Sequence, residues 1–395
     1  QRIGLLTQRL DHQCVEAHAL AAEAHITLFE AGDYFGGHTH TVDVTLDGVT
    51  HGVDTGFLVF NERTYPNLIR LFAELGVATA PAEMSFSVQV PDSANRRGLE
   101  WSGNDLNGVF AQRRNLLRPS FLHMLADIVR FNRLATRLAE RGADADADAD
   151  LSEPIGEFLV RHRFGAPFRD GYFLPMIGCI WSCPTDQMLQ FPIATMIRFC
   201  HNHGLIQVTN RPQWHTVRGG AKHYVQRMLP RIADARLRSA VLGVKRLPPG
   251  SGTHGVMVAD SGVLPQRQRA WAAWNYARAS SLGREQAAVC LHYLLNRLQP
   301  LPFRQPVIVS LNPDPARMPQ PHTVLGAYDY SHPVFDQAAI AAQQQLPQIQ
   351  GRSGLWFCGA WTRYGFHEDG LMSALSVVDG LRAQWRQEST VRAAA

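Results

Sequence analysis

The stretch His25-Ile-Thr-Leu-Phe-Glu30, followed at once by Ala-Gly-Asp-Tyr-Phe-Gly36-Gly37, gives the strongest fold signal in this chain. Its first half is a short β-rich run that predicts a buried strand, and its second half predicts a glycine-rich turn. A carboxylate at the end of the second strand of a dinucleotide fold accepts both hydroxyls of an adenosine ribose, and paired glycines let backbone amides approach a pyrophosphate. The stretch therefore indicates a dinucleotide-binding fold, against the simpler alternative of an acidic residue before a turn.

The sequence around this stretch predicts an α/β region followed by a helical one. Residues Thr41 to Val53 alternate apolar and polar positions, which predicts a hairpin, and Tyr65 to Leu75 has helical periodicity. Leu106 to Arg141 predicts helices with an arginine-rich outer face. Three further helices are expected at Ile155–His162, Phe168–Trp181 and Ile193–His203. Together these segments predict a helical insertion into the α/β fold.

Strand-like sequence returns in the second half of the chain. The expected strands are Ala240–Val244, Gly255–Val258, Ala288–Leu295 and Val307–Leu311. Leu355-Trp-Phe-Cys-Gly-Ala360 predicts an apolar strand that runs into a loop, and a helix is expected from Gly370 onward. The helix start would direct its amides and the positive end of its dipole at an anion or an electron-rich ring. The predicted fold class is therefore α/β, an α+β arrangement of two domains.

Composition excludes several classes of protein. The 395 residues are 45% hydrophobic and 18% charged, with a formal net charge of +4, so the chain can bury a large core and lacks the basic blocks of a nucleic-acid-binding protein. Cys179, Cys183, Cys200, His201 and His203 lack the C-x-x-C spacing of zinc sites, so no metal site is expected. No signal peptide and no apolar run long enough to cross a bilayer are visible, which predicts a cytoplasmic protein.

Three separate motifs resemble the FAD-dependent oxidoreductases of the flavin-containing amine oxidase superfamily. They are Glu30 with Gly36 and Gly37, the segment WHTVRGG at residues 214–220, and the tail GAWTRYGFHEDGL at residues 359–371. The strings DTGFLVFNERTYPNL, AQRRNLLRPSF, AWAAWNY and HPVFD are similar to a bacterial subgroup of predicted NAD/FAD-binding, amine-oxidase-like proteins. The similarity covers about Ala24 to Leu381. It implies FAD as the cofactor and a Rossmann-like FAD-binding domain that is split in sequence.

The resemblance also implies a domain plan and a set of cofactor contacts. The FAD-binding domain would comprise residues 1–75, 205–259 and 350–385, and a mixed-sheet and helical substrate domain would comprise 76–204 and 260–349. An acidic loop is expected at 142–150 and a flexible tail at 386–395. The implied cofactor contacts are Gly4, Glu30, Gly36, Gly37, His38, Thr39, Gly219, Gly220, Gly359, Ala360, Gly370 and Leu371.

Three features depart from the superfamily pattern. The superfamily begins with a strand, G-x-G-x-x-G and a helix, and this chain has Gly4, Leu6 and Arg9 at the glycine positions. A side chain at the second position stands where backbone must approach phosphate, which predicts weakened FAD binding or none. The strand and helix that follow the region like Gly255–Ala259 are missing, and Ala360 replaces an acidic residue of many members. A degenerate, non-enzymatic member that no longer binds FAD is therefore one alternative.

The resemblance implies transfer of a hydride to flavin from a small amine or an unsaturated, lipid-like substrate. The other alternative is a redox-neutral, flavin-dependent isomerase that acts on an acyl-chain double bond. Candidate catalytic residues are His38, His215 and His367, with His40 also beside a cofactor-like motif, because histidine can move a proton near neutral pH. Glu368 and Asp369 are expected to cap the terminal helix.

Overall fold

The computed structural model describes residues 2–7, 12–90, 98–141, 153–181, 185–207, 211–239, 252–258, 264–278, 289–331, 335–352 and 355–394. The strands in these ranges are β1 Arg2–Thr7, β2 His25–Glu30, β3 Thr41–Leu46, β4 Val49–Asp54, β5 Phe60–Asn61, β6 Thr79–Ala82, β7 Phe86–Val90, β8 Leu99–Ser102, β9 Trp214–Val217, β10 Asp234–Arg236, β11 Gly252–Val258, β12 Trp274–Ala277, β13 Cys290–Leu294, β14 Ile308–Leu311 and β15 Val324–Ser331.

The α-helices are α1 His12–Leu20, α2 Pro66–Leu75, α3 Leu106–Val109, α4 Pro119–Arg141, α5 Ile155–Arg161, α6 Ala166–Phe168, α7 Leu174–Trp181, α8 Thr185–Met188, α9 Ile193–Asn202, α10 Lys222–Met228, α11 Leu295–Leu298, α12 Gln337–Gln345 and α13 His367–Ala394. A π-helical turn at Arg169–Phe173 joins α6 to α7, so the helix predicted over 168–181 is one continuous helical segment.

A small parallel sheet contains the dinucleotide-fold motif. Its order is β1-β2-β10, and both ladders are parallel. Helix α1 connects β1 to β2, as parallel neighbours require a crossover. Ile26 and Leu28 of β2 are fully buried, and Glu30 is the last residue of the strand. The strand predicted over 25–30 is therefore confirmed, with its carboxylate at the carboxyl end of the sheet.

Two further small sheets contain β3 to β6 and β9. Strands β3 and β4 form the predicted hairpin, with Thr41 opposite Asp54 and a turn at Asp47 and Gly48. Strand β9 pairs on one side with β5 and on the other with β6, in the order β5-β9-β6. The helix predicted at 65–75 is confirmed as α2.

A seven-stranded mixed sheet has the order β15-β11-β14-β13-β12-β7-β8. Its pairs are antiparallel except β12 with β7. The strands predicted near 255–258, 288–295 and 307–311 are present as β11, β13 and β14. Strand β11 pairs with β14 and β15 and so belongs to this sheet, while the domain boundaries remain a prediction. The strand predicted at 240–244 lies outside the described residues, as does the acidic stretch 142–150.

The helical insertion is built around an aromatic core. Phe131 of α4 packs edge-on against Phe173 at 5.1 Å and against Phe158 at 6.5 Å between ring centroids. All three rings are fully buried. Such edge-to-face pairs add to the burial energy of the rings. The predicted helical region is thus a packed unit.

Two predictions for the C-terminal region are wrong. Residues 355–360 are not a strand, because the Gln350 side chain satisfies the backbone of Phe357: Phe357 N–H donates to Gln350 Oε1 at 2.8 Å, and Gln350 Nε2 donates to the Phe357 carbonyl at 2.6 Å. Helix α13 begins at His367, three residues before Gly370, and continues to Ala394. The segment predicted as a flexible tail is therefore helical up to that residue.

Candidate functional site

Glu30 lies at the carboxyl end of β2 and is only 1% exposed. The amide of Gly32 donates a hydrogen bond to Glu30 Oε1 at 2.6 Å, which fixes the carboxylate over the turn that follows the strand. A carboxylate has about four acceptor sites, so this contact is compatible with the acceptance of further hydroxyl donors. The position is the one predicted for a ribose-binding carboxylate.

The turn after β2 requires glycine. Gly36 has a φ of 114° and Gly37 a φ of 53°, both in the region that favours glycine. A Cβ on Gly36 would lie 3.1 Å from the Thr39 carbonyl oxygen and 3.1 Å from Val225 Cγ2. The Thr39 amide donates to the Gly36 carbonyl at 2.7 Å and closes the turn. At Gly36, in particular, both the backbone conformation and the close neighbours exclude a side chain.

Three side chains from distant parts of the sequence meet in a buried hydrogen-bonded triangle. Thr39 Oγ1 lies 2.6 Å from Tyr224 Oη and 3.2 Å from His367 Nε2, and Tyr224 Oη lies 2.5 Å from the same nitrogen. The His367 ring stacks on Phe57, with centroids 3.9 Å apart and planes inclined by 14°. The triangle connects the turn after β2, helix α10 and the first residue of α13.

A second network surrounds His40. Its Nδ1 lies 2.7 Å from Tyr330 Oη and 3.0 Å from Thr55 Oγ1, and its ring stacks on Tyr34 with centroids 4.2 Å apart. Burial lowers the pKa of His40 to about 4, although the nearby Asp33 raises it. His40 is therefore neutral at physiological pH, and it connects the turn after β2 to β15 of the large sheet.

The two other candidate histidines lie apart from the triangle. The His38 ring is 5.4 Å from that of Tyr330, and the His38 carbonyl accepts a hydrogen bond from the Phe57 amide at 2.7 Å. His215 lies in β9 opposite Phe60, with ring centroids 5.8 Å apart. His215 Nδ1 is buried without a hydrogen-bond partner among the described residues. Of the three histidines predicted to be catalytic, His367 is the one that belongs to the triangle.

A buried carboxylate holds the Gly219–Gly220 turn. Asp54 Oδ1 accepts from the Ala221 amide at 2.9 Å and from the Thr41 hydroxyl, and Asp54 Oδ2 accepts from Gln299 Nε2 at 2.7 Å. Burial raises the pKa of Asp54 to about 7, against the lowering effect of these donors and of Lys222. The turn that was predicted to approach the isoalloxazine is therefore fixed to β4 by this one side chain.

Close approach explains the glycine at position 220. Its φ is 110°, and a Cβ there would lie 2.2 Å from Thr41 Cγ2. The β3–β4 hairpin thus packs directly on the backbone of this turn. A side chain at 220 would separate the hairpin from α10.

The start of α13 carries the predicted C-terminal motif. The Gly359 amide donates to Ser373 Oγ at 3.2 Å, Ala360 begins a 3₁₀ turn, and Gly370 and Leu371 are buried in the first turns of the helix. Asp369 Oδ2 accepts from the Phe366 amide at 3.0 Å, which confirms its predicted capping of this helix. Burial is the main cause that raises the pKa of Asp369 to about 6.

Glu368 caps a different helix from the one predicted. Its Oε1 accepts from the Asn67 amide at 3.0 Å and from Asn67 Nδ2 at 2.7 Å, and its Oε2 accepts from the Leu68 amide at 3.1 Å. These amides are at the N-terminus of α2, where the helix dipole also favours an anion. Glu368 thus fixes the start of α13 against α2.

An uncharged aromatic cluster lies next to the triangle. Phe366, which precedes His367, stacks on Phe199 with centroids 4.4 Å apart, and His203 stacks on the same Phe199 at 3.9 Å. His203 Nδ1–H donates to the Phe199 carbonyl at 2.9 Å. Burial lowers the pKa of His203 to about 4, so its ring is neutral. Trp214 lies 6.1 Å from the His203 ring.

Gly4, an implied cofactor contact, is a strand residue. It lies inside β1, paired with Thr27, and the strand continues through Leu6 to Thr7. Its contact with the cofactor remains a prediction. The connection from β1 to α1 falls on residues 8–11, Gln-Arg-Leu-Asp, which contain no glycine and lie outside the described residues.

Comparison with known families identifies the class of protein. The model of the family described as flavin containing amine oxidoreductase matches residues 17–268, which is more than half of the chain. The chain belongs to this family. It is accordingly a flavin-dependent oxidoreductase of the amine oxidase type. No curated protein matches the chain at a significant level.

Solved structures share the whole fold at low sequence identity. A triple mutant of putrescine oxidase is 16% identical with a TM-score of 0.61, over 97% of this chain and 99% of that one. Cyclohexylamine oxidase from Brevibacterium oxydans IH-35A is 13% identical with a TM-score of 0.58, over 97% and 99%. A fatty acid isomerase from P. acnes that produces CLA is 12% identical with a TM-score of 0.60, over 95% and 97%. At these identities the likeness shows the fold alone.

Part of the site is predictable from the sequence and part is not. Motifs in the sequence identify five of its residues, Glu30, Gly36, Gly37, Thr39 and His367. The fold brings the turn after β2 into contact with His367 through Thr39. Missing from the prediction was the partner that bridges Thr39 and His367, namely Tyr224. Its only sequence signal was an aromatic residue shortly after the Gly219–Gly220 pair.

None of the helices in the described part of the chain combines the length and the apolar character needed to span a bilayer. Likewise, the described residues contain no group of three or more His, Cys, Asp or Glu side chains that could hold a metal ion. Cys179 and Cys200 are buried thiols, and burial raises the pKa of both. Cys183 lies outside the described residues.

Proposed function

We propose that this protein binds FAD and removes a hydride from a carbon atom of an apolar, lipid-like substrate. One observation carries the proposal: Thr39, two residues after the glycine turn beside Glu30, is hydrogen-bonded to His367 at the N-terminus of α13. The turn that follows Glu30 is thereby in contact with the helix start proposed to face the isoalloxazine. This contact supports an FAD site that includes both elements.

The described residues fit FAD at both of these elements. Glu30 would accept the hydroxyls of the adenosine ribose, and the Gly36–Gly37 backbone would lie along the pyrophosphate and ribityl chain. The N-terminal amides of α13 would face the isoalloxazine end, where the positive end of a helix dipole favours electron-rich groups. The connection at 8–11 contains no glycine. Its backbone would therefore approach the pyrophosphate less closely than in the superfamily pattern, which predicts weaker binding of the whole cofactor.

Bound flavin supplies the redox chemistry by accepting a hydride. The protein would contribute orientation and proton handling. The Thr39–Tyr224–His367 triangle offers three exchangeable positions within hydrogen-bond distance, so a proton can be held or passed at His367 Nε2. Stacking on Phe57 fixes the ring plane of His367 and keeps its Nε2 directed at the two hydroxyls.

The aromatic cluster favours an apolar substrate over a small cationic amine. Phe366 and Phe199 are stacked beside the start of α13, and His203 among them is neutral. The carboxylates that follow Phe366 in sequence, Glu368 and Asp369, are used by backbone amides as caps. Neither is therefore available as a counter-charge for a cation, whereas an acyl chain would contact apolar side chains.

Anaerobic reduction of the FAD-loaded protein tests the proposed reaction. In parallel titrations, unsaturated fatty acids or small amines would be added to the protein at a concentration on the order of micromolar. The flavin absorption near 450 nm would be followed in each titration. Bleaching by the fatty acids and not by the amines supports the proposal. Bleaching by amines alone contradicts the substrate class.

The same experiment separates the redox-neutral alternative. An isomerase would convert the double bond of an unsaturated acyl chain without net bleaching and without consumption of an acceptor. Product analysis of the anaerobic mixture distinguishes the two reactions, because hydride removal without an acceptor stops after a single turnover.

A further inference from the structure

Helix α4 and the 3₁₀ turn before it present an unusual surface. In the turn Arg113–Leu117, Leu116 is 48% exposed and Leu117 is 88% exposed. On α4, Leu122 is 43% exposed and Val129 is 44% exposed. Exposed aliphatic side chains that lie close together are typical of interaction surfaces rather than of an ordinary solvated face.

Five exposed positions of α4 form a stripe, and the exposed Glu140 continues it beyond Arg137. Leu122, Ala126, Val129, Arg133 and Arg137 fall within about 80° of arc at 3.6 residues per turn, and the stripe is about 22 Å long at 1.5 Å per residue. Its first half is apolar and its second half is basic. The opposite side of α4 is packed into the helical core through Phe131, which is fully buried.

Charge on this surface is predominantly positive. Residues 113–140 contain six arginines and two acidic residues, Asp127 and the exposed Glu140. Asp127 is buried and its Oδ1 lies 2.9 Å from Arg130 Nη2. Among the residues that the structure describes, none of the other five arginines forms an ion pair with an acidic side chain. The surface is therefore complementary to an anionic partner.

A groove adjoins the stripe. It has a volume of about 730 Å³ and is lined by Val129, Arg133 and Arg137 of α4 and by Ile206 beyond the end of α9. Ile206 is three residues from His203, which belongs to the aromatic cluster beside His367. The basic end of the stripe thus lies next to a groove. The groove is also lined by Ile206, which is close in sequence to the aromatic cluster of the candidate site.

We propose that this face, Leu116, Leu117, Leu122, Val129, Arg133 and Arg137, docks on the surface of an anionic lipid bilayer. The leucines would enter the boundary between headgroups and acyl chains, while the guanidinium groups would pair with lipid phosphates. The exposed aliphatic side chains suit the acyl-chain boundary of a bilayer, and the arginines without an ion-pair partner suit its phosphate layer. The inference does not depend on the proposed function, because it needs neither flavin nor turnover.

Vesicle co-sedimentation with the full-length protein tests the docking surface. The vesicles would be phosphatidylcholine alone or phosphatidylcholine with phosphatidylglycerol, at low and at physiological salt. The proposal predicts binding to the anionic vesicles that weakens with salt, as expected for interfacial charge. Absence of binding to the anionic vesicles at low salt overturns it.

Two double variants separate the charged and apolar contributions. R133Q/R137Q is expected to bind about thirty-fold more weakly, from the usual effect of each basic residue near an anionic surface. L116S/L117S is expected to bind about tenfold more weakly or worse, because two exposed aliphatic side chains no longer enter the interface. All four side chains are exposed, so folding is expected to be unchanged, and circular dichroism would check this.

Matched controls use exposed residues elsewhere in the molecule. V49S/M318S removes two aliphatic side chains that are 46% and 50% exposed, and R304Q/R352Q removes two exposed arginines. Both should bind vesicles as the unchanged protein does, and equal losses in the controls and the test variants refute the assignment. If L116S/L117S instead converts a dimer to a monomer in light scattering and leaves vesicle binding intact, the face is an interface between two copies and the proposal fails.

Discussion

Replacement of Tyr224 by phenylalanine removes one corner of the buried triangle with little change in shape. Two of the three hydrogen bonds are lost, those at 2.6 Å to Thr39 Oγ1 and 2.5 Å to His367 Nε2. The third, 3.2 Å between Thr39 and His367, remains. At about 0.5–1.5 kcal/mol for each net hydrogen bond, the free energy of unfolding should fall by about 1–3 kcal/mol.

The geometry also predicts non-additivity. Thr39→Val likewise removes two of the three bonds, whereas the double variant removes all three. The two single variants together count four lost bonds, whereas the double variant loses three. The coupling energy should therefore equal the energy of about one bond, roughly 0.5–1.5 kcal/mol. This coupling energy measures the one hydrogen bond that Thr39 and Tyr224 share.

Urea unfolding of the four proteins, followed by circular dichroism, measures the cycle. Tyr172→Phe is the control, because Tyr172 is buried and its hydroxyl has no hydrogen bond among the described residues, so its loss should be within about 0.5 kcal/mol. A coupling energy of zero, or a loss for Tyr224→Phe no larger than that of the control, would refute the triangle as a structural unit.

Two further perturbations have expected outcomes. Glu368→Ala should lower the free energy of unfolding by at least about 2 kcal/mol, because it leaves the amides at the start of α2 without their acceptor; the exposed Glu23→Ala, which breaks an ion pair with Arg382, should lower it by less than about 1 kcal/mol in the same urea experiment. The pKa of Asp54 is 3.8 when the side chain is exposed, and burial raises it to about 7 in the folded protein. Because the unfolded state ionises first, the free energy of unfolding should fall by up to about 4 kcal/mol as pH rises from about 4 to 7. Asp54→Asn should remove this pH dependence when unfolding is measured across the same range.

Local signals in the sequence were sufficient for elements whose hydrogen bonds are local. The alternation at 41–53 gave the β3–β4 hairpin, and the apolar run ending at Glu30 gave β2, because in both cases neighbouring residues determine which face is buried. The same kind of signal failed at 355–360. There an apolar run suggested a strand, but the backbone of Phe357 is satisfied by the Gln350 side chain, and no periodicity encodes that contact.

Partners distant in sequence were not predictable in this way. Strand β11 looks like any strand, and which sheet it joins depends on its pairing with β14 and β15, 50 or more residues away. Glu368 was expected to cap its own helix because a carboxylate in the first turn usually does so. It caps α2 instead, some 300 residues away in sequence. For the same reason Tyr224 was missed, because its role exists only once α10 and α13 are packed together.

FAD retention by the purified protein tests the central claim most directly. The protein would be incubated with FAD, desalted and examined by its visible absorption spectrum, beside Glu30→Ala treated in the same way. Flavin bands are expected in the unchanged protein, and the affinity of Glu30→Ala should be about a hundredfold weaker, because the two charge-assisted hydrogen bonds proposed for the ribose would be lost. A folded, unchanged protein that stays colourless after this treatment would contradict the account and identify a family member that no longer holds the cofactor.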